Sequence, residues 1–195
     1  SGIETIEDFR GKRIIVGAPG SHINELSQVI LGAYGLEMGR DWEPVYINWS
    51  EVPMVLSDGS ADAGIMTSSL PNPSLSELTT SHELRLISLD PDMLAKLLEE
   101  KPYWLENTIP AGVYRGQDTE VPYGFKIPSF LATRADVSED VVYAFTKALY
   151  DNIDKLVQIH VSGADWDPKE AAEVENIIPL HPGARKYFEE IGVLD

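Results

Sequence analysis

Lys12-Arg13-Ile14-Ile15-Val16-Gly17-Ala18-Pro19-Gly20-Ser21 is the stretch on which the fold turns. Ile14, Ile15 and Val16 are apolar and β-branched, as a strand covered on both faces requires. Gly17 and Gly20 permit backbone angles that residues with a Cβ resist, so the strand ends in a tight Gly/Pro turn. Ser21 then opens a helix whose first N–H groups have no partner and whose dipole makes that end partly positive. Such a junction is a ready seat for an anion. The spacing does not match a phosphate-binding Gly-x-x-x-x-Gly-Lys-Ser/Thr loop or a Gly-x-Gly-x-x-Gly dinucleotide fingerprint.

Outward from this stretch, strand and helix signals alternate. The expected order is a strand at 13–17, a helix at 22–34, a strand at 44–48 and a short helix at 50–57. A strand at 61–67, a helical turn at 74–78, a strand at 84–89 and a helix at 90–100 follow. Leu26, Val29, Ile30 and Ala33 share one face of the first helix, and Gly35 suits its C-terminal cap. Ser50 and Asp90 are the expected caps of their helices, with Pro91 at a first helical position. Repeated β-α-β units predict an α/β fold with a largely parallel sheet and helices on both faces.

The middle of the chain changes character. Residues 102–124 are rich in Pro, Gly and aromatic side chains and read as an extended crossing between two lobes. Tyr103, Trp104 and Tyr114 are then expected at inter-lobe packing or hinge surface. A further strand at 130–134 leads to one long helix from Ser138 to about His160. Short helices near 168–174 and 182–191 close the chain.

Composition excludes several classes of function. The 195 residues carry 15 basic and 32 acidic side chains, a formal charge of −17, which opposes nucleic acid and anionic membrane surfaces. A small anion is still compatible, because nearby groups set the field inside a cleft more than the total charge does. The simplest reading of the acidity is a well-solvated surface. With no cysteine, disulfides, thiolate metal sites and thiol nucleophiles are ruled out within these residues. His22, His82, His160 and His181 lack metal-ligand spacing, so neither a metal nor any other cofactor is expected. His181 suits a helix cap ahead of Pro182. Asp58 and Asp62 flank a turn at Gly59 and read as punctuation rather than as an acid/base pair.

Several elements closely resemble the TAXI group of solute-binding proteins, the extracytoplasmic receptors of TRAP transporters. They are Ser1-Gly2-Ile3, Asp8-Phe9-Arg10-Gly11-Lys12, the Gly17–Ser21 turn, Leu56-Ser57-Asp58-Gly59-Ser60-Ala61-Asp62-Ala63, Val142-Tyr143 with Thr146-Lys147-Ala148-Leu149, and His181-Pro182-Gly183-Ala184-Arg185-Lys186-Tyr187. The resemblance runs from Ser1 to Leu194. It implies a two-lobed, type II periplasmic-binding-protein-like fold. Residues 8–118 would form ligand-binding lobe two, and 119–195 would return to lobe one with the long helix and the C-terminal helices. It also implies a periplasmic or extracytoplasmic location and TRAP membrane subunits as partners. The family's usual export signal and the first part of lobe one are not among these residues, so lobe one is expected to be incomplete and its missing N-terminal part a further partner. The sequence departs from the family at His22-Ile23, where Gly and Thr are usual, and at Ser69-Leu70-Pro71, where Gly-x-Pro is usual.

The expected function is capture of a small organic anion, such as an amino acid or carboxylate, without chemistry on it. The candidate contacts are Gly20, Ser21, His22, Trp49, Thr67, Ser68 and Ser69, all following expected strand ends. Each has a plainer alternative: Ser21 as a cap, Trp49 as core, and 67–69 as a polar loop leading into the next helix. A sensory domain on the same fold, or less readily an α/β enzyme, is the alternative function. No nucleophile-elbow Gly-x-Ser-x-Gly supports the enzyme.

Overall fold

The computed structural model describes residues 2–195. The chain forms two compact units, one reaching to Pro128 and one from Ser129 to Asp195. In the first, strand β1 (Arg13–Ile15) leads to helix α1 (His22–Ala33) and strand β2 (Glu43–Val45). Helix α2 (Val52–Ser57), strand β3 (Ala63–Gly64) and helices α3 (Pro73–Leu78) and α4 (Pro91–Glu100) follow. Strands β4 (Leu105–Ile109) and β5 (Val121–Lys126) complete the unit. The second unit holds α5 (Glu139–Tyr150), α6 (Ile153–Ile159), α7 (Pro168–Glu173) and α8 (Pro182–Glu190).

The sheet order is β2-β1-β3, and both pairings are parallel, with Ile14 opposite Pro44 on one side and Ala63 on the other. Strand pleat explains the core. Ile14 and Val16 pack with Leu26, Ile30 and Leu31 of α1, Leu94 and Leu97 of α4, and Trp42 and Trp104. Ile15 points to the opposite face and packs with Val52 and Val55 of α2 and with Ala61. Ile14, Ile15 and Val16 are fully buried, each contributing about 1.5–3 kcal/mol relative to exposure. This is the α/β fold of the periplasmic-binding-protein-like kind: a parallel sheet with helices on both faces.

Several local expectations hold with their chemistry. Gly35 ends α1 in a Schellman motif at φ +70°: Leu36 N–H donates to Leu31 O and Gly35 N–H to Gly32 O, both at 2.9 Å. His181 caps α8, its Nδ1 accepting from Gly183 N–H at 3.2 Å. That bond requires the neutral tautomer with the proton on Nε2, which donates to Val137 O at 3.1 Å.

Others are corrected. Residues 84–89 form no strand: only Leu89 N–H reaches a backbone carbonyl of β5, that of Tyr123, while the Ser88 hydroxyl takes the Tyr123 N–H in place of a ladder carbonyl. Residues 102–124 do not cross between lobes but fold back as the antiparallel pair β4–β5, with a bulge between Asn107 and Ile109. Trp104 and Tyr114 are therefore buried inside the first unit, Trp104 stacked on Phe125 at 4.2 Å, rather than lying at a hinge surface. Residues 130–134 pair with no strand, and Phe130 and Leu131 are exposed. The long helix breaks into α5 and α6 at Asn152, whose Nδ2 bonds the Ala148 carbonyl while its backbone leaves helical angles. Ser50 is not a cap. Asn48 caps the 3₁₀ turn before α2 in a capping box with Glu51.

Candidate functional site

Because β1, β2 and β3 run parallel as neighbours, the chain leaves all three at the same edge of the sheet. With adjacent strands about 4.8 Å apart, residues 16–21, 46–49 and 65–69 emerge side by side. In open α/β sheets this carboxyl edge is where ligands bind.

The first of these segments is shaped by its glycines. Gly17 is buried at φ +70°, and a Cβ there would lie 3.2 Å from Ser21 Oγ and 3.6 Å from Ile23 Cβ. Gly20 is exposed at φ +71°. Together they turn the chain so that Ser21 N–H donates to Ala18 O at 3.1 Å. The Ser21 carbonyl then accepts the first helical bond, from Glu25 N–H. Ser21 Oγ accepts from Asn24 N–H at 3.3 Å, so Ser21 is the N-cap and keeps its hydroxyl proton available to donate. Among the described residues, the amides of Gly20, His22 and Ile23 have no protein acceptor. These are the orphan donors of a helix start, and His22 beside them is exposed.

Trp49 opens the 3₁₀ turn after β2 and is half-buried against the group formed by Ile15, Val52, Val55 and Ala61. Thr67 and Ser68 are exposed beyond β3, and Ser69 is half-buried. Ser68 Oγ donates to the Ser69 carbonyl at 2.9 Å. The loop is anchored behind: Asn72 caps α3 by accepting from Leu75 N–H at 3.1 Å, and Asn72 N–H donates to the buried Tyr114 Oη at 2.8 Å. The sheet topology thus gathers Gly20, Ser21, His22, Trp49, Thr67, Ser68 and Ser69 at one edge, with Trp49 turned into core contacts.

The arrangement supplies hydrogen-bond donors and a partial positive charge. Asp58 and Asp62 are occupied elsewhere. Asp58 Oδ1 accepts from Ser60 N–H at 2.8 Å, and hydrogen bonds from the Ser60 side chain and then its backbone hold the Asp58 carboxyl below the usual range. Asp62 accepts from the Arg13 side chain and the Arg13 N–H, and the Arg13 hydrogen bonds keep it ionised against the opposing effect of burial. Asp58 therefore stabilises its turn, and Asp62 ties the start of β3 to β1. Among the described residues no group of three or more His, Asp or Glu side chains is placed to hold a metal ion.

Two site elements escaped the sequence reading. Asn24 sits one turn into α1 and is buried with its Nδ2 unpartnered. Its only sequence signal is a polar residue next to Ile23, in line with Ser21, Ser27 and Gln28 at helical spacing. The Tyr114 anchor under residue 72 joins positions 42 apart, and no local pattern carries that.

Fold and edge define a class: a parallel α/β unit presenting a donor-rich carboxyl edge of the kind that holds small solutes. Within it, the chain belongs to the NMT1-like family, whose model matches residues 1–192. That is a family of periplasmic solute-binding-like proteins, typically extracytoplasmic and paired with small ligands and transporter subunits. Among the described residues no helix is long and apolar enough to cross a membrane.

Proposed function

We propose that the chain is the solute-binding receptor of a TRAP transporter of the TAXI type, that it captures a small organic anion such as an amino acid or carboxylate, and that it passes this cargo unchanged to membrane subunits. The observation that carries the reading is the start of α1, where three amides without a protein acceptor and the Ser21 hydroxyl lie together at the carboxyl edge of a parallel sheet. In this reading Gly20, Ser21 and His22 take one carboxylate of the solute. The Thr67 and Ser69 hydroxyls and the Ser68 backbone amide donate to a second oxygen, the Ser68 hydroxyl being held by the Ser69 carbonyl, and Trp49 borders the apolar part. The unit reaching to Pro128 serves as the ligand-holding lobe, beyond the 8–118 expected, because β5 pairs with β4 inside it, and residues 129–195 return toward the other lobe.

Magnitudes shape the mechanism. A helix end contributes about 0.3–1 kcal/mol to an anion, and about 2 when partly buried. Micromolar capture needs about 8 kcal/mol. Direct hydrogen bonds and closure of a facing surface over the solute supply the difference.

Calorimetry of the chain against L-glutamate, other amino acids, succinate and 2-oxoglutarate tests the reading. Ser21→Gly is the informative variant, because glycine costs only a few tenths of a kcal/mol at an N-cap while removing the hydroxyl donor. Saturable binding of at least one probe, weakened about tenfold by Ser21→Gly, is expected. Binding by none refutes anion capture. Conversion of a bound probe to product makes the chain an enzyme.

A further inference from the structure

Asn24 is 6% exposed, and its side-chain Nδ2 is buried without a hydrogen-bond partner among the described residues. Such a group is costly to fold, since an unmet buried donor forfeits its hydration with nothing in return. The amide's orientation follows from its neighbour. Gln28 Nε2 lies 3.2 Å from the Asn24 backbone carbonyl, which can only accept, so Gln28 presents its NH₂ group there. The same NH₂ lies 3.3 Å from the other branch of the Asn24 side chain, which must therefore be the oxygen, Oδ1. Oδ1 is thus turned toward the next helical turn, and Nδ2 takes the opposite branch. Side chains in a helix lean toward its N-terminus. Asn24 is the third helical residue, and its own N–H is held by Ser21 Oγ. The unmet donor therefore takes the branch away from Gln28, on a residue of the same helix start as the amides of Gly20, His22 and Ile23, which have no protein acceptor among the described residues.

We propose that Asn24 is a solute-contacting specificity residue, its Nδ2 donating to an oxygen of the anion held at the start of α1. The assignment rests on the capture reading above and adds to it a requirement. The solute places an acceptor oxygen beneath the cap as well as over it, as a carboxylate does and an ammonium or alkyl group does not. Gln28 acts as a positioning residue, fixing which branch of the amide faces the solute.

The test compares the whole chain with Asn24→Leu, Asn24→Ser and Asn24→Asp, using succinate, 2-oxoglutarate and L-glutamate as probes in calorimetry. Ligand-free melting is measured in parallel. Asn24→Leu, close in volume and without a donor, is expected to melt at or above the parent. It is also expected to weaken the tightest probe by about 10- to 100-fold. Asn24→Ser keeps a small polar group and gives a loss in the same direction should the leucine variant fail to fold. Asn24→Asp sets a carboxylate against the anion and loses binding more completely. Parent-like affinity in Asn24→Leu or in Asn24→Ser overturns the assignment while leaving anion capture intact. A lowered ligand-free melting point with unchanged affinity marks a donor met by buried water and overturns it as well. If no probe binds the parent chain, capture itself fails and the assignment falls with it.

Discussion

Removing the Asp62 carboxylate should loosen the sheet edge that carries the site. Asp62 Oδ2 accepts from Arg13 N–H at 2.9 Å and from Arg13 Nε at 3.2 Å, and Oδ1 accepts from Nη2 at 3.1 Å. Asp62 N–H donates in return to Arg13 O at 2.9 Å, so this one residue ties the start of β3 to the start of β1. In Asp62→Ala the half-buried Arg13 amide loses a charged acceptor, a contact worth about 1.5–3 kcal/mol. The guanidinium contact adds little to this, since the pair is solvated, with the Arg13 side chain 43% and the Asp62 side chain 24% exposed. Water reaching the vacated amide offsets part of this, leaving a loss of about 2 kcal/mol. For the unit reaching to Pro128 that is a fall of about 6–10 °C in melting temperature. The pH dependence has a definite sign. Arg13 holds the Asp62 carboxyl below its ordinary value, so the contribution is complete above about pH 5, where an unfolded Asp is already almost fully ionised. It is lost as pH falls through the depressed folded value. Melting curves followed by circular dichroism at pH 7 and at steps below pH 4 should show the gap between parent and Asp62→Ala closing with acid. A gap that stays constant or widens as the pH falls would refute the reasoning, as would an alanine variant as stable as the parent at pH 7.

Gly183 marks a close approach of α8 to α5: a Cβ there would lie 2.3 Å from Glu139 O and 2.6 Å from Tyr143 N, both backbone atoms. Gly183→Ala should therefore destabilise the Ser129–Asp195 unit by about 3 kcal/mol or more, seen as lost amide protection in α5 and α8 during hydrogen exchange. Tyr34 Oη accepts from Asp90 N–H at 2.9 Å, and Tyr34→Phe should cost about 0.5–1.5 kcal/mol in a denaturant melt. Burial pushes the Tyr34 phenol up to about 12, so its contribution is complete below pH 10 and lost as pH rises toward 12. In a spectrophotometric titration, Tyr34→Phe should remove a late-ionising phenol rather than one near pH 10.

Where chemistry is local, the sequence was sufficient. The Gly-flanked turn, the Schellman glycine at 35 and the His181-Pro182 start of α8 all act through neighbours a few residues away, and the β-branched run 14–16 carries its burial in its own composition. Two of the misreadings share one cause: the deciding partner was distant. Leu84–Leu89 has the composition of a strand, yet Ser88 satisfies Tyr123 through a side chain and the ladder does not form. The Pro- and Gly-rich segment 102–124 hides a hairpin because Pro110, Gly112 and Gly116 sit in its connection, while Trp104 and Phe125 close it by stacking. Asn152 broke a helix whose apolar spacing continued without interruption, since spacing does not register a side chain that bonds its own helix. At the candidate site the three strands were legible from periodicity, although they end at Ile15, Val45 and Gly64, two or three residues before the expected positions. The orphan amide of Asn24 was not, because its meaning depends on burial.

The most direct measurement follows backbone amides of the ¹⁵N-labelled chain by NMR while succinate, 2-oxoglutarate or L-glutamate is added. Saturable shifts concentrated at Gly20, His22 and Ile23, with the anion recovered chemically unchanged, are the predicted result. Shifts centred in residues 129–195, or none that saturate, would contradict the placement of an anion at the start of α1.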